Sequence, residues 1–137
     1  MSDLSEATWD RVERAKELGC EVIEPDAFTL LLDYDSIEAW LKFAKQRNLI
    51  EELFGIKKIE EWNSSSSPPN KHVRVTLDTA LSADQRLALQ AALGSDPTRE
   101  ILGVRRTQLS IEHPSLLFKP ENSEIRVIYD PERDDIF

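Results

Sequence analysis

Two carboxylates stand one residue apart at the end of an apolar run, Phe28-Thr29-Leu30-Leu31-Leu32-Asp33-Tyr34-Asp35. In an extended strand side chains alternate faces, so Phe28, Leu30, Leu32 and Tyr34 share one face and Thr29, Leu31, Asp33 and Asp35 the other. Asp33 and Asp35 then lie about 7 Å apart along the strand, a spacing that suits two acidic groups sharing a divalent cation such as Mg²⁺ or Mn²⁺. An ordinary structural reading stands beside this one. Asp35 and Ser36 cap the helix that follows, and Asp33 is a solvated strand-end residue.

A second polar group follows the Ser/Pro-rich stretch Asn63–Asn70. His72-Val73-Arg74-Val75-Thr76-Leu77 alternates, with Val73, Val75 and Leu77 on the apolar side and His72, Arg74 and Thr76 on the polar side. An imidazole, a guanidinium and the neighbouring Lys71 are groups that neutralise phosphate.

The elements that must position these residues are legible from period and punctuation. A helix is expected over Ser5–Leu18, capped by Ser5 or Thr8 and closed by Gly19. Cys20–Glu24 is extended, and Pro25-Asp26 turns the chain into the first confident strand. A helix starts near Ser36, with Ile37, Trp40, Leu41 and Ala44 as its buried stripe, and ends at Gly55. Ile56–Trp62 is a strand that pairs with His72–Leu77 as a hairpin. Ser82 and Gln85 have capping-box spacing for a helix that stops at Gly94. Asp96-Pro97 starts another, running through Ile101, Leu102 and Val104 to Arg105-Arg106. Leu116–Phe118 is the last core strand, Glu124–Tyr129 an edge strand, and Pro131–Phe137 a loose acidic tail.

From Phe28 the order is strand, helix, strand, strand, helix, strand. That is the ferredoxin-like, RRM-like βαββαβ pattern: an α+β fold with two helices on one face of a four-stranded antiparallel sheet. One domain is expected over 1–137, with a core at about 20–119, an N-terminal helix over 1–19 and an acidic extension over 120–137. In this fold the first and third strands are neighbours. Asp33 and Asp35 then share the open sheet face with His72 and Arg74, polar groups that are costly to bury and easy to use.

Composition sets outer bounds. The net charge is −9, so any nucleic-acid contact needs a local basic patch or a screening cation. The only cysteine is Cys20, which excludes an internal disulfide and fits a reducing compartment. No apolar run approaches the ~20 residues of a membrane span, and a cytoplasmic location without membrane partners is expected.

The two motifs, Leu30-Leu31-Leu32-Asp33-Tyr34-Asp35 and Ser66-Ser67-Pro68-Pro69-Asn70-Lys71-His72, resemble the first two motifs of archaeo-eukaryotic primases and primase-polymerases. The resemblance covers roughly 20–119. It implies metal-dependent nucleotidyl transfer, or nucleotide binding, on an RRM-like sheet. Asp33 and Asp35 hold the metal, and His72 contacts the phosphates of the incoming nucleotide beside Ser66. It also implies a third acidic residue on a later strand, for which Asp78, Glu112 and Asp130 are the candidates. Leu89–Glu100 is similar to a segment of small uncharacterised proteins, some of them phage-encoded.

Two readings of other classes compete. The open face is a binding platform for single-stranded nucleic acid or protein, with Trp62 available for stacking. Alternatively the chain is an interaction protein that pairs with a second copy, using Leu31 on that face and the Glu124–Tyr129 edge. Cys20 reads as a small buried residue, His113 as incidental, and Arg99 and Glu100 as a fixed pair near the sheet end.

Overall fold

The strand that begins after the Asp26 turn organises the molecule. In the computed structural model, which describes residues 2–109 and 115–131, Asp26 accepts hydrogen bonds from the Phe28 N–H and the Thr29 hydroxyl. The chain thereby enters strand β2 (Thr29–Tyr34) from an Asx turn. Helix α1 (Ser2–Glu17) and strand β1 (Glu21–Ile23) precede it. After it come α2 (Ile37–Phe54), β3 (Ile56–Asn63), β4 (Lys71–Leu77), α3 (Ala83–Ala92), α4 (Pro97–Gln108), β5 (Leu117–Lys119) and β6 (Arg126–Tyr129). The described residues thus form a mixed α+β protein with two antiparallel sheets, one of four strands in the order β2-β4-β3-β6 and one of two, β1-β5. None of the described helices is long and apolar enough to cross a membrane.

Local rules explain most boundaries. Ser36 caps α2 by accepting from the Ala39 N–H, and Gly55 ends it at φ +71°, a conformation other residues rarely adopt. Ser82 and Gln85 form the expected capping box of α3. Asp96 caps α4, with Pro97 at its first turn. Helix α1 begins at Ser2, ahead of the expected caps Ser5 and Thr8, which fall inside it.

One face of the large sheet is packed by Leu30, Leu32, Val73, Val75, Leu77, Ile56 and Ile59 against Phe43 and Ile50 of α2 and Leu93 at the end of α3. The buried stripe of α2 differs from the expected one. Phe43 and Ile50 are buried and Trp40 half-buried, while Ile37 is 78% exposed and Leu41 and Ala44 are also exposed. The rings of Tyr34, Trp40 and Phe43 form a cluster with centroids 5.4–6.3 Å apart, and this fixes the helix rotation.

Two features depart from the expected topology. The strand expected over Leu116–Phe118 forms as β5, but it pairs with β1 in the separate two-stranded sheet, in the register Val22↔Phe118. The fourth strand of the large sheet is instead β6, on the outer side of β3. The outer edge of β2, where the ferredoxin-like pattern places its last strand, is closed by the α3–α4 corner. Gln90 accepts from the Leu31 N–H at 3.0 Å and Arg99 donates to the Leu31 carbonyl at 2.8 Å. Ser95 accepts from the Asp33 N–H at 3.0 Å, and the Asp96 N–H donates to the Asp33 carbonyl at 2.9 Å. Two side-chain acceptors, one guanidinium and one backbone amide do for this edge what a strand ladder would do.

Candidate functional site

The register of the large sheet puts Asp33, His72 and Trp62 in one cross-strand row, and Leu31, Arg74 and Glu60 in the next. The alternation argument therefore holds for Asp33, His72 and Arg74, which share a face. That face is not open. Leu31 and Trp62 pack with Ile23 of β1 and Leu117 of β5 in a second apolar cluster, flanked by Ile125. The β1–β5 ribbon roofs the row.

A clasp holds the roof down. The Phe118 carbonyl accepts from the Trp62 indole N–H at 3.2 Å and meets His72 Nδ1 at 3.1 Å. The two rings are edge-to-face, 5.8 Å apart. A carbonyl can only accept, so Nδ1 carries the proton of the neutral ring and Nε2 presents a lone pair. Nε2 lies 3.5 Å from Asp33 Oδ1. The geometry is that of an ion pair, yet burial pushes the imidazole down to about 4, so it is neutral at pH 7. Burial also raises Asp33, reinforced by Asp96 and Asp35 and opposed by Arg99 and by the Asn70 amide at 3.5 Å. The contact is a neutral imidazole against a desolvated carboxyl, two groups that compete for one proton.

The other expected site residues are held in contacts of their own. Arg74 makes a bidentate pair with the buried Glu60, at 2.9 and 3.0 Å. Ser66 Oγ donates to the Pro68 carbonyl and accepts from the Asn70 N–H, so it builds its own loop. Lys71 lies 3.7 Å from Glu61, which is only 5% exposed and is also bonded by Arg126. Asp35 lies beyond the end of β2 and is exposed. It lines a cleft of about 490 Å³ at the sheet end, together with Ser36, Trp40, Lys71 and Arg126. Ser66 and Lys71 line a second, polar cleft of about 740 Å³ bordered by Asn122, Ser123 and Arg126. The expected set is thus divided: Asp33, His72 and Arg74 lie under the roof, while Asp35, Ser66 and Lys71 lie along the sheet end.

This donor set does not suit the oxygen-rich shell of Mg²⁺ or Mn²⁺. Such an ion needs near-octahedral oxygen ligands at roughly 2.1 Å. Here Asp33 faces an imidazole directly, and Asp35 has left the strand. Among the described residues no three His, Cys, Asp or Glu side chains converge to hold a metal. Of the candidate third carboxylates, Asp78 sits exposed after β4, Asp130 follows β6, and Glu112 lies outside the described residues, as does His113. The Pro131–Phe137 tail also falls outside them beyond its first residue.

Residues that single motifs could not reveal complete the picture. Gln90 is 1% exposed and bonds Glu100 at 2.8 Å and Ser115 at 3.1 Å as well as the Leu31 N–H. Its position between Leu87 and Leu93, on the buried side of α3, is the signal for a polar group with an obligatory partner. Arg99 and Glu100 form the expected pair at 2.6 Å. No buried side-chain polar atom among the described residues lacks a hydrogen-bond partner. Comparison of the chain with family models, with curated proteins and with solved structures finds no match in any of the three.

Proposed function

We propose that this chain is a non-catalytic interaction module of the ferredoxin-like, RRM-like type. In it β2, β3 and β4 keep that arrangement and the β1–β5 ribbon occupies the face a catalytic sheet would leave open. The observation that carries the reading is the Phe118 carbonyl seated between the Trp62 indole and the His72 imidazole. It commits those two side chains to holding the roof. Metal-dependent nucleotidyl transfer would need Asp33, His72 and Arg74 turned to solvent, and each is engaged within the chain.

The outer surface supports protein partners. Helix α4 is inverted: Glu100, Gly103 and Arg106 are buried, while Ile101 is 69% and Val104 51% exposed. Ile37 and Leu41 of α2 are exposed as well.

The test is calorimetric titration of the chain with Mn²⁺ or Mg²⁺, with and without a nucleoside triphosphate. The same titrations are run on the Asp33→Asn/Asp35→Asn variant. The expected result is no metal-dependent nucleotide binding by either protein. Metal-dependent nucleotide binding by the wild-type chain that disappears in the variant would overturn the reading and restore the catalytic one.

A further inference from the structure

Helix α2 has two apolar sides, and the fold uses one of them. Phe43 and Ile50 are buried against the large sheet. On the other side a row at four-residue spacing runs Ile37-Leu41-Lys45-Leu49-Leu53. Ile37, Leu41, Leu49 and Leu53 are 78%, 50%, 48% and 62% exposed, and Lys45 is exposed at the middle. At 3.6 residues per turn Lys45 stands roughly 140–160° round the helix from Phe43 and Ile50, so the row faces away from the sheet. Residues four apart are surface neighbours, and the row is therefore one continuous ridge about 24 Å long. Rows of this spacing are the ridges by which helices pack on one another.

Lys45 decides what the ridge can accept. Its neighbours one turn away on the helix are Leu41, Lys42, Asn48 and Leu49, none of them acidic. Among the described residues no carboxylate pairs with it. A helix laid on the ridge takes water from this ammonium, which is costly unless a carboxylate meets it. A second copy of α2 fails that requirement. Turned antiparallel about an axis at Lys45, it matches Ile37 to Leu53 and Leu41 to Leu49, but it sets the two Lys45 side chains against each other. A parallel copy in register does the same. The ridge therefore selects a different chain, one with an acidic residue at the centre of its own apolar row.

We infer that the exposed ridge of α2 docks an amphipathic helix of a partner protein, whose apolar row is interrupted by one Asp or Glu opposite Lys45. The inference rests on the reading of the chain as an interaction module and gives that module a docking surface and a partner chemistry.

The test uses the full chain and two synthetic helical peptides of about 18 residues, long enough to cover the ridge. Both carry leucine at every fourth position, with glutamate at the central one in the first peptide and lysine in the second. In fluorescence anisotropy the glutamate peptide binds and the lysine peptide binds at least about tenfold more weakly. Lys45→Glu reverses that order. Leu41→Asp/Leu49→Asp abolishes binding, whereas Ile101→Asp on α4 leaves it unchanged. All the substituted side chains are exposed, and circular dichroism checks that each variant is folded. Equal affinity for the two peptides, binding of neither, or binding that survives Leu41→Asp/Leu49→Asp overturns the inference. So does a dimer in sedimentation equilibrium that Leu41→Asp/Leu49→Asp dissociates, because a second copy then covers the ridge. If metal and nucleotide are still ignored in those cases, the module reading stands. Metal-dependent nucleotide binding that the Asp33→Asn/Asp35→Asn variant loses overturns the module reading whatever the peptides do.

Discussion

Acidification from pH 7 to 4.5 titrates His72 in the unfolded chain but not in the folded one. Its ordinary value is 6.5, and burial beneath the β1–β5 ribbon lowers it to about 4. Between those values the unfolded chain binds a proton that the native chain refuses, so stability falls as pH falls. At roughly 1.4 kcal/mol per unit, the full gap amounts to about 3 kcal/mol, most of it lost by pH 4.5. Asp33 acts with the opposite sign. Its carboxyl is raised in the folded state, so the native chain takes its proton first and recovers stability on acidification. The two effects partly cancel in the wild type, and the measurement must separate them. Asp33→Asn removes the opposing group and supplies an amide N–H that can donate to Nε2. Urea unfolding followed by circular dichroism is then compared between Asp33→Asn and Asp33→Asn/His72→Gln at pH 7, 6, 5 and 4.5. The stability gap between the two variants should shift by about 2–3 kcal/mol against the His72-bearing protein across that range. Parallel profiles would mean that the imidazole is not held neutral under β5, and the roofed-face account would fail with it.

Gln90→Ala should destabilise by roughly 2–4 kcal/mol in urea, because it leaves the buried Leu31 N–H without its acceptor and takes one hydrogen bond from the Glu100 carboxylate, which keeps Arg99. Trp62→Phe keeps the ring but loses the indole bond to Phe118, so amide exchange in Leu117–Lys119 and Glu21–Ile23 should accelerate more than elsewhere, for about 1 kcal/mol of global stability. Gly94→Ala should cost about 1–3 kcal/mol in thermal or urea unfolding. Its φ is +89° and an added Cβ would meet the Ala39 carbonyl at 2.9 Å.

Alternation placed Asp33, His72 and Arg74 on one sheet face from the sequence alone, because period two is a property of the backbone and survives any tertiary context. Caps were equally legible: Ser36, Ser82 and Asp96 each bond an N–H that local geometry leaves unpaired. What alternation cannot supply is the next layer. It says which side chains share a face, and nothing about whether another piece of chain lies on that face. The segments that form the roof are each three residues long, too short to carry a periodic signal, and their partners, such as Val22 and Phe118, are far apart in the chain. The misassigned stripe of α2 has a similar cause. Ile37, Leu41 and Ala44 satisfy helical spacing around Trp40 as well as Phe43 and Ile50 do, and the aromatic cluster with Tyr34 decides between them.

The acidic character of the chain becomes intelligible once its buried charges are followed to their partners. Glu60 and Glu61 are adjacent in β3 and therefore point to opposite faces, where each meets cations supplied by other segments: Arg74 on one side, Lys71 and Arg126 on the other. Glu100 is matched in the same way by Arg99. Each of these carboxylates is at most 7% exposed, so removal of a partner would strand a buried charge, which is far more costly than the loss of a surface pair. The basic residues that a sequence reader would assign to phosphate are the ones this arrangement requires for its own interior. Lys71 and Arg74 cannot serve a bound triphosphate without abandoning Glu61 and Glu60. A ligand that recruited them would draw both away from carboxylates that are at most 7% exposed, leaving Glu61 to Arg126 and Glu60 to Lys58.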